Sequence, residues 1–216
     1  MVISGNTRLI AHLGYPTASF KAPMIYNPWF VDQQVDVKVV PMGVRPEDYA
    51  AFIPPLFTMT NIIGALVTMP HKIATCDLVQ RLSPTAAISA LTLYDTRPEV
   101  AHALAGRLHQ HYPLLDITLM QHDPVGHELV VNATPLGMKA SDPLPLDVDR
   151  LAPGTWVGEV VMTQEYTPLL RAAQARQCHI QRGTDMLFEM IPAYLRFFDL
   201  PVATPEQLRA LAEIRY

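Results

Sequence analysis

Short apolar segments alternate with amphipathic ones in the first part of the chain. The apolar segments are rich in β-branched and aliphatic residues, whereas the amphipathic ones repeat apolar residues at helical spacing. The pattern predicts a βαβαβα order, with strands at 8–14, 35–42 and 64–69 and helices at 24–32, 46–56 and 71–82. This order is typical of an α/β fold with a parallel sheet.

A second series of the same kind follows. It predicts strands at 91–95, 116–120, 128–134 and 155–162 and a helix at 99–110, which together indicate a second parallel sheet. From Thr167 onward the pattern turns mainly helical, with CHIQRG (178–183) as the last predicted strand. The twenty prolines fall largely at the joints between these elements.

Composition narrows the class of partner. The chain has 216 residues, half of them hydrophobic, and a net charge of −4 with scattered basic residues, so no face suits nucleic acid. The two cysteines, Cys76 and Cys178, and the eight histidines lack the spacing of a disulfide framework or a zinc site. No run is long enough to span a bilayer. We expect a cytoplasmic monomer or homodimer that binds a small molecule and no metal, nucleic acid or membrane.

The stretch GALVTMPHK (64–72) places a lysine just after a buried strand and a proline. Proline suits the first position of a helix, so Lys72 is expected in the first helical turn. The helix dipole disfavours a positive charge there, so the lysine could exchange a proton near neutral pH. The alternative is a solvated surface lysine. His71 beside it could transfer a second proton, although a lone histidine in a first turn is more often solvated.

The strand LTLYD (91–95) carries a weaker nucleotide signal. Asp95 ends the strand, where a dinucleotide-binding unit places an acid for the adenosine ribose, and an acid favours NAD over NADP. An aspartate there is also an ordinary helix cap. The Gly-rich phosphate loop that should precede it is absent, because no glycine occurs between Gly64 and Gly106.

Together these motifs resemble the shikimate dehydrogenase family of NAD(P)-dependent oxidoreductases. The matching segments are GYPTASFKAP (14–23), GALVTMPHK, LSPTA (82–86), NATPLGM (132–138), TPLL (167–170) and GTDML (183–187). The resemblance implies an N-terminal α/β substrate domain, a Rossmann-type cofactor domain, and C-terminal helices that return to the first domain. Residues 1–85 and 190–216 would form the substrate domain and 86–189 the cofactor domain.

The resemblance also implies an activity and site residues. The activity is the NAD(P)-dependent interconversion of a ring secondary alcohol and a ketone, of the shikimate and 3-dehydroshikimate type, in aromatic amino acid biosynthesis through chorismate. Lys72 falls on the catalytic lysine of the family. The positions implied to line the cofactor site are Asn132, Ala133, Thr134, Met162, Gly183 and Met186, beside Asp95. For residues 132–134 the alternative is a strand exit in which Asn and Thr cap their own backbone.

Several family positions carry different residues here. Phe20 and Ala22 replace two serines that hold the substrate carboxylate in the family, and Leu66 replaces an asparagine. Met162 stands at a tyrosine position and Met190 at a glutamine position; only Thr68 and Lys72 are kept. Apolar groups give up hydroxyl recognition, so the substrate should be less polar than shikimate or be held differently.

One family segment is missing between LSPTA and the strand that ends at Asp95. In the family it carries the first strand of the cofactor domain, the Gly-rich loop and the aspartate partner of the lysine. Either the protein lacks this segment or the sequence omits one that the molecule contains. Omission predicts a break in the backbone between about Pro84 and Leu91. A true loss favours a non-catalytic small-molecule-binding relic of the same fold.

Overall fold

A computed structural model describes residues 3–72, 74–75 and 89–216 of the chain. The first sheet has three parallel strands in the order β2–β1–β3, namely β1 Arg8–Gly14, β2 Val37–Gly43 and β3 Ile62–Val67. Helices α1 (Pro23–Asp32) and α2 (Tyr49–Leu56) connect these strands. The predicted βαβ order is therefore confirmed, although β3 ends two residues before Met69.

Parallel pairing brings the carboxyl ends of β1 and β3 together. Leu13 pairs with Val67, and the strands continue as a loop pair in which the Thr68 N–H donates to Leu13 O at 2.9 Å and the Tyr15 N–H to Met69 O at 3.0 Å. Ligands of open α/β sheets bind at this edge of the sheet. The sheet thus presents the segment after β3 beside the segment after β1.

The chain returns to this first unit at its end. The buried apolar residues of helices α5 (Gly183–Phe197) and α6 (Pro205–Leu211) share one core with α1, β1 and β2. Ile191 and Leu195 of α5 are at most 1% exposed, and the indole N–H of Trp29 donates to Pro201 O at 3.0 Å. The expected return of the C-terminal helices is confirmed.

The second half contains further parallel strands. These elements are β4 Ala90–Leu93, α3 Pro98–His111, β5 Asp116–Leu119, β6 Leu129–Asn132, a 3-10 turn at Val148–Arg150, β7 Trp156–Glu159, α4 Pro168–Ala175 and β8 His179–Gln181. The predicted types are confirmed, and helices α3, α4 and α6 begin at a proline, which suits the first helical position. Thr167 and Thr204 cap the last two of these helices with their hydroxyl oxygens.

The prediction of one second sheet is wrong for the described residues. Their strands form two sheets, β4–β5 and β6–β7–β8, each parallel throughout. Nothing among the described residues pairs β4 with β6. The described residues contain no strand that joins the two sheets.

Two expectations concern residues beyond the described ranges. The predicted helix 71–82 is described only at its start, and the junction predicted to break between Pro84 and Leu91 lies largely outside the described residues, as does Cys76. The boundaries of the two expected domains, 1–85 with 190–216 and 86–189, stay a prediction. No helix in the described part of the chain is long and apolar enough to cross a membrane.

Candidate active site

The first cluster of site residues forms where β1 and β3 end. Gly14 lies so close to its neighbours that a Cβ at this position would be 2.5 Å from Thr68 Cγ2 and 2.6 Å from Phe20 Cζ. The structure therefore brings Phe20 and Thr68, two sequence-predicted residues, against the same glycine. Thr68 is half-buried, and its methyl group and the Phe20 ring both lie close to Gly14.

Lys72 follows Thr68 within one turn of chain. The His71 N–H donates to Thr68 O at 3.0 Å, and helical backbone begins at Lys72, whose side chain is exposed. This geometry puts the lysine at a helix start on the carboxyl edge of the sheet.

His71 has a structural role that the sequence did not reveal. Its side chain is 2% exposed, its ring stacks on Tyr49 at 4.0 Å, and its Nε2 lies 2.8 Å from Val44 O. Since a carbonyl only accepts, Nε2 carries the proton in this contact. His71 thus anchors the segment that carries Lys72, and it is neither solvated nor aimed at the ligand side.

The remaining substrate positions are apolar surfaces. Ala22 and Phe20 are buried, Leu66 packs against the core of the first unit, and Met190 on α5 is 38% exposed. None of these side chains offers a hydrogen bond. These four positions therefore cannot make the polar contacts with substrate that the family pattern implies.

A residue missed by the sequence reasoning lies in the middle of this cluster. His12 of β1 pairs with Leu66 of β3, and its ring contacts the ring of Phe20 at 4.2 Å. It is 7% exposed, and its Nδ1 has no hydrogen-bond partner. Burial lowers the pKa of His12 to about 4, so the imidazole is neutral at pH 7. A single histidine within an apolar strand carried no motif that could have marked it.

Asp95 lies two residues beyond the end of β4. Its Oδ1 accepts the Arg97 N–H at 2.8 Å, and the Arg97 guanidinium is 3.8 Å away. This is a local turn bond of the kind that aspartate makes with the backbone two residues on. The second carboxylate oxygen is not used in this turn, so the geometry leaves an acceptor at the carboxyl end of β4.

Asn132 at the end of β6 belongs to a buried polar network. Its Nδ2 donates to Glu159 Oε1 at 2.6 Å and to Leu136 O at 2.9 Å, and its Oδ1 accepts from the backbone and hydroxyl of Thr134. The Thr167 hydroxyl donates to Glu159 Oε2 at 2.6 Å. This matches the alternative in which Asn132 and Thr134 organise their own turn. Ala133 between them is exposed.

Glu159 is the second residue that sequence reasoning missed. It is 3% exposed on β7, and burial raises the pKa of its carboxyl, an effect that hydrogen bonds from Thr167, Asn132 and the Val161 backbone partly offset. The network joins the ends of β6 and β7 to the cap of α4. It therefore fixes the edge at which residues 132–134 lie.

Gly183 and Met162, two of the predicted cofactor positions, lie next to each other. A Cβ at Gly183 would collide with Val161 O and lie 3.0 Å from Met162 Cγ, so only glycine allows α5 to begin there. The carboxylate of Asp185 accepts the Arg182 N–H at 3.1 Å, which holds this helix start. Met186 lies one turn further on and is half-buried.

Comparison with known proteins shows which family the chain is similar to. The shikimate dehydrogenase substrate binding domain matches residues 13–90. A shikimate dehydrogenase (NADP(+)) of Acidiphilium cryptum is 29% identical over 277 residues, an alignment that covers 98% of each protein. The chain is similar to proteins of the shikimate dehydrogenase family. This family consists of NAD(P)-dependent oxidoreductases.

Solved structures show the same fold. A shikimate dehydrogenase in complex with NADP+ has a TM-score of 0.81 at 17% identity, over 97% of this chain and 96% of that one. A quinate dehydrogenase of Corynebacterium glutamicum in complex with NAD has a TM-score of 0.76 at 18% identity, over 95% and 98%. Both structures support a shikimate dehydrogenase fold, with a substrate domain and a Rossmann-like domain.

The described residues offer groups that suit the two ends of a nicotinamide dinucleotide. They offer no turn that suits its central pyrophosphate. Asp95 suits an adenosine ribose, and the Gly183 helix start next to Met162 offers an apolar surface. The pyrophosphate needs backbone N–H groups in a tight Gly-rich turn at a helix N-terminus. Among the described residues, the three glycines with positive φ are Gly126, Gly137 and Gly154, and none of them opens a helix.

The buried His12 predicts a loss of stability in mild acid. Its pKa of about 4 in the folded state lies below the ordinary 6.5, so the unfolded chain binds a proton that the folded chain excludes. Stability present above pH 6.5 is then lost toward pH 4, by about 2 kcal/mol at pH 5. Urea unfolding at pH 7 and pH 5 should show this loss in the wild type and not in His12→Gln. An equal loss in both would contradict the assignment.

Glu159 predicts the opposite dependence. Because its pKa is raised in the folded state, the stabilising protonated form is complete below the ordinary 4.5 and is lost as the pH rises through the raised value. The wild type should therefore lose stability relative to Glu159→Gln between pH 4 and pH 7, measured by chemical denaturation. Glu128→Gln, which changes an exposed carboxylate, is the matched control and should follow the wild type.

Proposed function

We propose that this chain is a shikimate dehydrogenase-like oxidoreductase that interconverts a ring secondary alcohol and the corresponding ketone with NAD(P). The observation that carries the proposal is the cluster at the carboxyl ends of β1 and β3. There Thr68 lies against Gly14, and a helix begins at Lys72 one turn later. Both retained family residues are thus presented at the edge where α/β sheets bind their ligands.

Lys72 acts as the general acid and base of this reaction. It takes the proton from the hydroxyl oxygen as the alcohol is oxidised and returns a proton to the carbonyl oxygen in the reverse direction. The Thr68 hydroxyl can accept from or donate to the same ring substituents. His71 keeps the lysine in place through its contacts with Tyr49 and Val44.

The proposed substrate site has more apolar side chains than the family pattern implies. The side chains at the substrate positions 20, 22, 66 and 190 are Phe, Ala, Leu and Met, and Phe20 covers the glycine at the end of β1. A site that hydrogen-bonds ring hydroxyls rejects analogues that lack them, and an apolar site loses that discrimination. We therefore propose a ring alcohol less polar than shikimate, or one bound in a different orientation.

Asp95 is proposed to select the cofactor. Its carboxylate accepts hydrogen bonds from the free ribose hydroxyls of NAD and repels the 2′-phosphate of NADP, which makes NAD the preferred cofactor. The relatives cited above carry NADP(+) in their names or NADP+ or NAD in their structures, so the preference departs from some of them. Asn132, Ala133, Thr134, Met162, Gly183 and Met186 are proposed to line the rest of the cofactor site.

A second candidate function is a non-catalytic protein that binds a small ring acid. One observation favours it: the described residues provide no phosphate turn, and the strands of the cofactor half form two separate sheets. Such a protein would bind the ring compound at the β1–β3 edge without turnover. Binding and turnover must therefore be measured on the same preparation.

Replacing Lys72 by alanine should abolish proton exchange and lower kcat by about 10²- to 10⁴-fold, with little change in ring-acid binding. The measurement uses shikimate and a cyclohexanol carboxylate with one hydroxyl, with binding followed by calorimetry and turnover by cofactor absorbance. Lys139→Ala removes a lysine from the exposed loop after β6 and serves as the control.

Three results separate the candidates. A dehydrogenase turns over at least one ring alcohol and loses this with Lys72→Ala alone. A relic binds a ring acid without turnover, and the alanine variant binds it equally well. If the Lys72→Ala variant kept the wild-type kcat, Lys72 would not be the general acid and base.

The role of Asp95 can be tested with ligands that lack the pyrophosphate and the nicotinamide of the cofactor. Adenosine 5′-monophosphate and its 2′-phosphorylated analogue contain only the adenosine end, so their affinities report on the region of Asp95. The wild type should bind the monophosphate more tightly, and Asp95→Asn should narrow or reverse the preference because a repelling charge is removed. Asp142→Asn, which changes an acid in the loop after β6, is the control. A wild-type preference for the 2′-phosphorylated analogue would contradict the NAD assignment.

A further inference from the structure

Lys21 is a buried cation in the middle of the proposed substrate segment, residues 20–22. It lies between Phe20 and Ala22 and is 7% exposed. None of the ion pairs among the described residues includes it. A buried charge is costly unless other groups compensate it, so this ammonium group depends on the neutral groups around it.

The compensating contacts come from the segment that follows α6. The Lys21 Nζ donates a hydrogen bond to Arg215 O and lies 5.1 Å from the centre of the Tyr216 ring. A carbonyl oxygen and the face of an aromatic ring both attract a cation. This segment, residues 212–216, therefore covers the ammonium group of Lys21.

The same tyrosine also contacts the cofactor side of the proposed site. The hydroxyl groups of Tyr216 and Thr184 lie 3.1 Å apart, and Thr184 is 2% exposed in the first turn of α5. Thr184 directly follows Gly183, whose close approach to Val161 O fixes where α5 begins. Tyr216 thus joins one residue of the substrate segment to one residue beside a proposed cofactor position.

The backbone of residues 212–216 is itself held in place. The Glu213 N–H donates to Met24 O at 2.9 Å, and Ile214 packs against the core of the first unit. The segment is therefore anchored before it reaches Tyr216, whose own side chain is 52% exposed. A half-exposed ring adds little to the core, so its two polar contacts are better explained by a positioning role.

We propose that Lys21, Tyr216 and Thr184 form a clasp that holds the substrate segment at a fixed distance from the first turn of α5. The ring of Tyr216 covers the ammonium group, and its hydroxyl bonds the threonine. In a dehydrogenase the ring alcohol and the nicotinamide must be held in register for hydride transfer. The three residues are positioning residues that act through the segments they hold. This role in turnover rests on the proposed function, whereas the clasp itself does not.

Lysine labelling tests the clasp without any ligand. The sequence has four lysines, and Lys139 is exposed in the loop after β6, so it is an internal standard in the same molecule. The rate at which acetic anhydride acetylates each lysine is measured by mass spectrometry at one fixed pH, and the Lys21 rate is divided by the Lys139 rate. In the wild type this labelling ratio should be well below one, because Lys21 is covered.

Two variants that cut the clasp at α5 should expose Lys21. Thr184→Val and Tyr216→Phe each remove the contact between hydroxyl groups and leave an aromatic ring over Lys21. We expect either variant to raise the labelling ratio by about 2- to 10-fold, the effect of one hydrogen bond. Tyr216→Leu, which also removes the ring, should raise it further. Thr155→Val, at another buried threonine, and Phe197→Leu, at an exposed ring of α5, are controls that should leave the ratio unchanged.

Two results would overturn the clasp. If Thr184→Val and Tyr216→Phe keep the wild-type ratio while circular dichroism shows them folded, the two ends are independent of each other. An unchanged ratio in Tyr216→Leu would show that the ring does not cover Lys21. Because Tyr216 is half-exposed, its variants leave no cavity and decide the question even if the Thr184 variant fails to fold.

Turnover tests the positioning role. With the ring alcohols used for Lys72→Ala, Tyr216→Phe should lower kcat by about 2- to 10-fold, on the same scale as the labelling change, and leave KM and ring-acid affinity unchanged, because neither ligand loses a contact. A wild-type kcat in this variant would remove the positioning role. If the wild type turns over no ring alcohol, the proposed function fails instead, and the labelling ratios still decide whether the clasp exists.

Discussion

The close approach of β1 and β3 at Gly14 is the constraint on which the candidate site depends. A Cβ at Gly14 would lie 2.5 Å from Thr68 Cγ2 and 2.8 Å from Met69 O, so no other residue fits without a shift. Because the strands meet there, the Thr68 N–H donates a hydrogen bond to Leu13 O, which holds Thr68 beside the end of β1. Lys72 lies four residues further along the chain. The candidate site is thus assembled by strand pairing and core packing within the first unit.

Much of the fold could be predicted because its signals are local. Apolar runs located β1, β6 and β7 to within three residues, and the proline starts of α3, α4 and α6 follow from elementary helix chemistry. The sheet arrangement could not be predicted in the same way. Whether β4 pairs with β6 depends on a strand between them, and periodicity within β4 or β6 carries no information about its neighbour.

Some residues of the candidate site could be predicted from the sequence and others could not. Sequence position placed Thr68 and Lys72, because both lie in one continuous motif, and the structure puts them at the sheet edge. It did not show that His71 stacks on Tyr49, that His12 is buried against Phe20, or that Glu159 ties Asn132 to Thr167. Each of these contacts joins residues that are distant in sequence or are set by burial, which a residue's own neighbours do not encode.

The return of α5 and α6 to the first unit bears on how the protein is made. Ile10 and Trp29 near the amino end share a core with Leu195 and Leu208, so that core is incomplete while the chain is still being synthesised. The early strands must wait on the ribosome with apolar surface exposed, because domains otherwise fold in order of synthesis. Contacts between such remote segments also slow folding, since a long loop must close before they stabilise anything. The apolar residues of β1 and α1 therefore lack these packing partners until α5 and α6 have been synthesised.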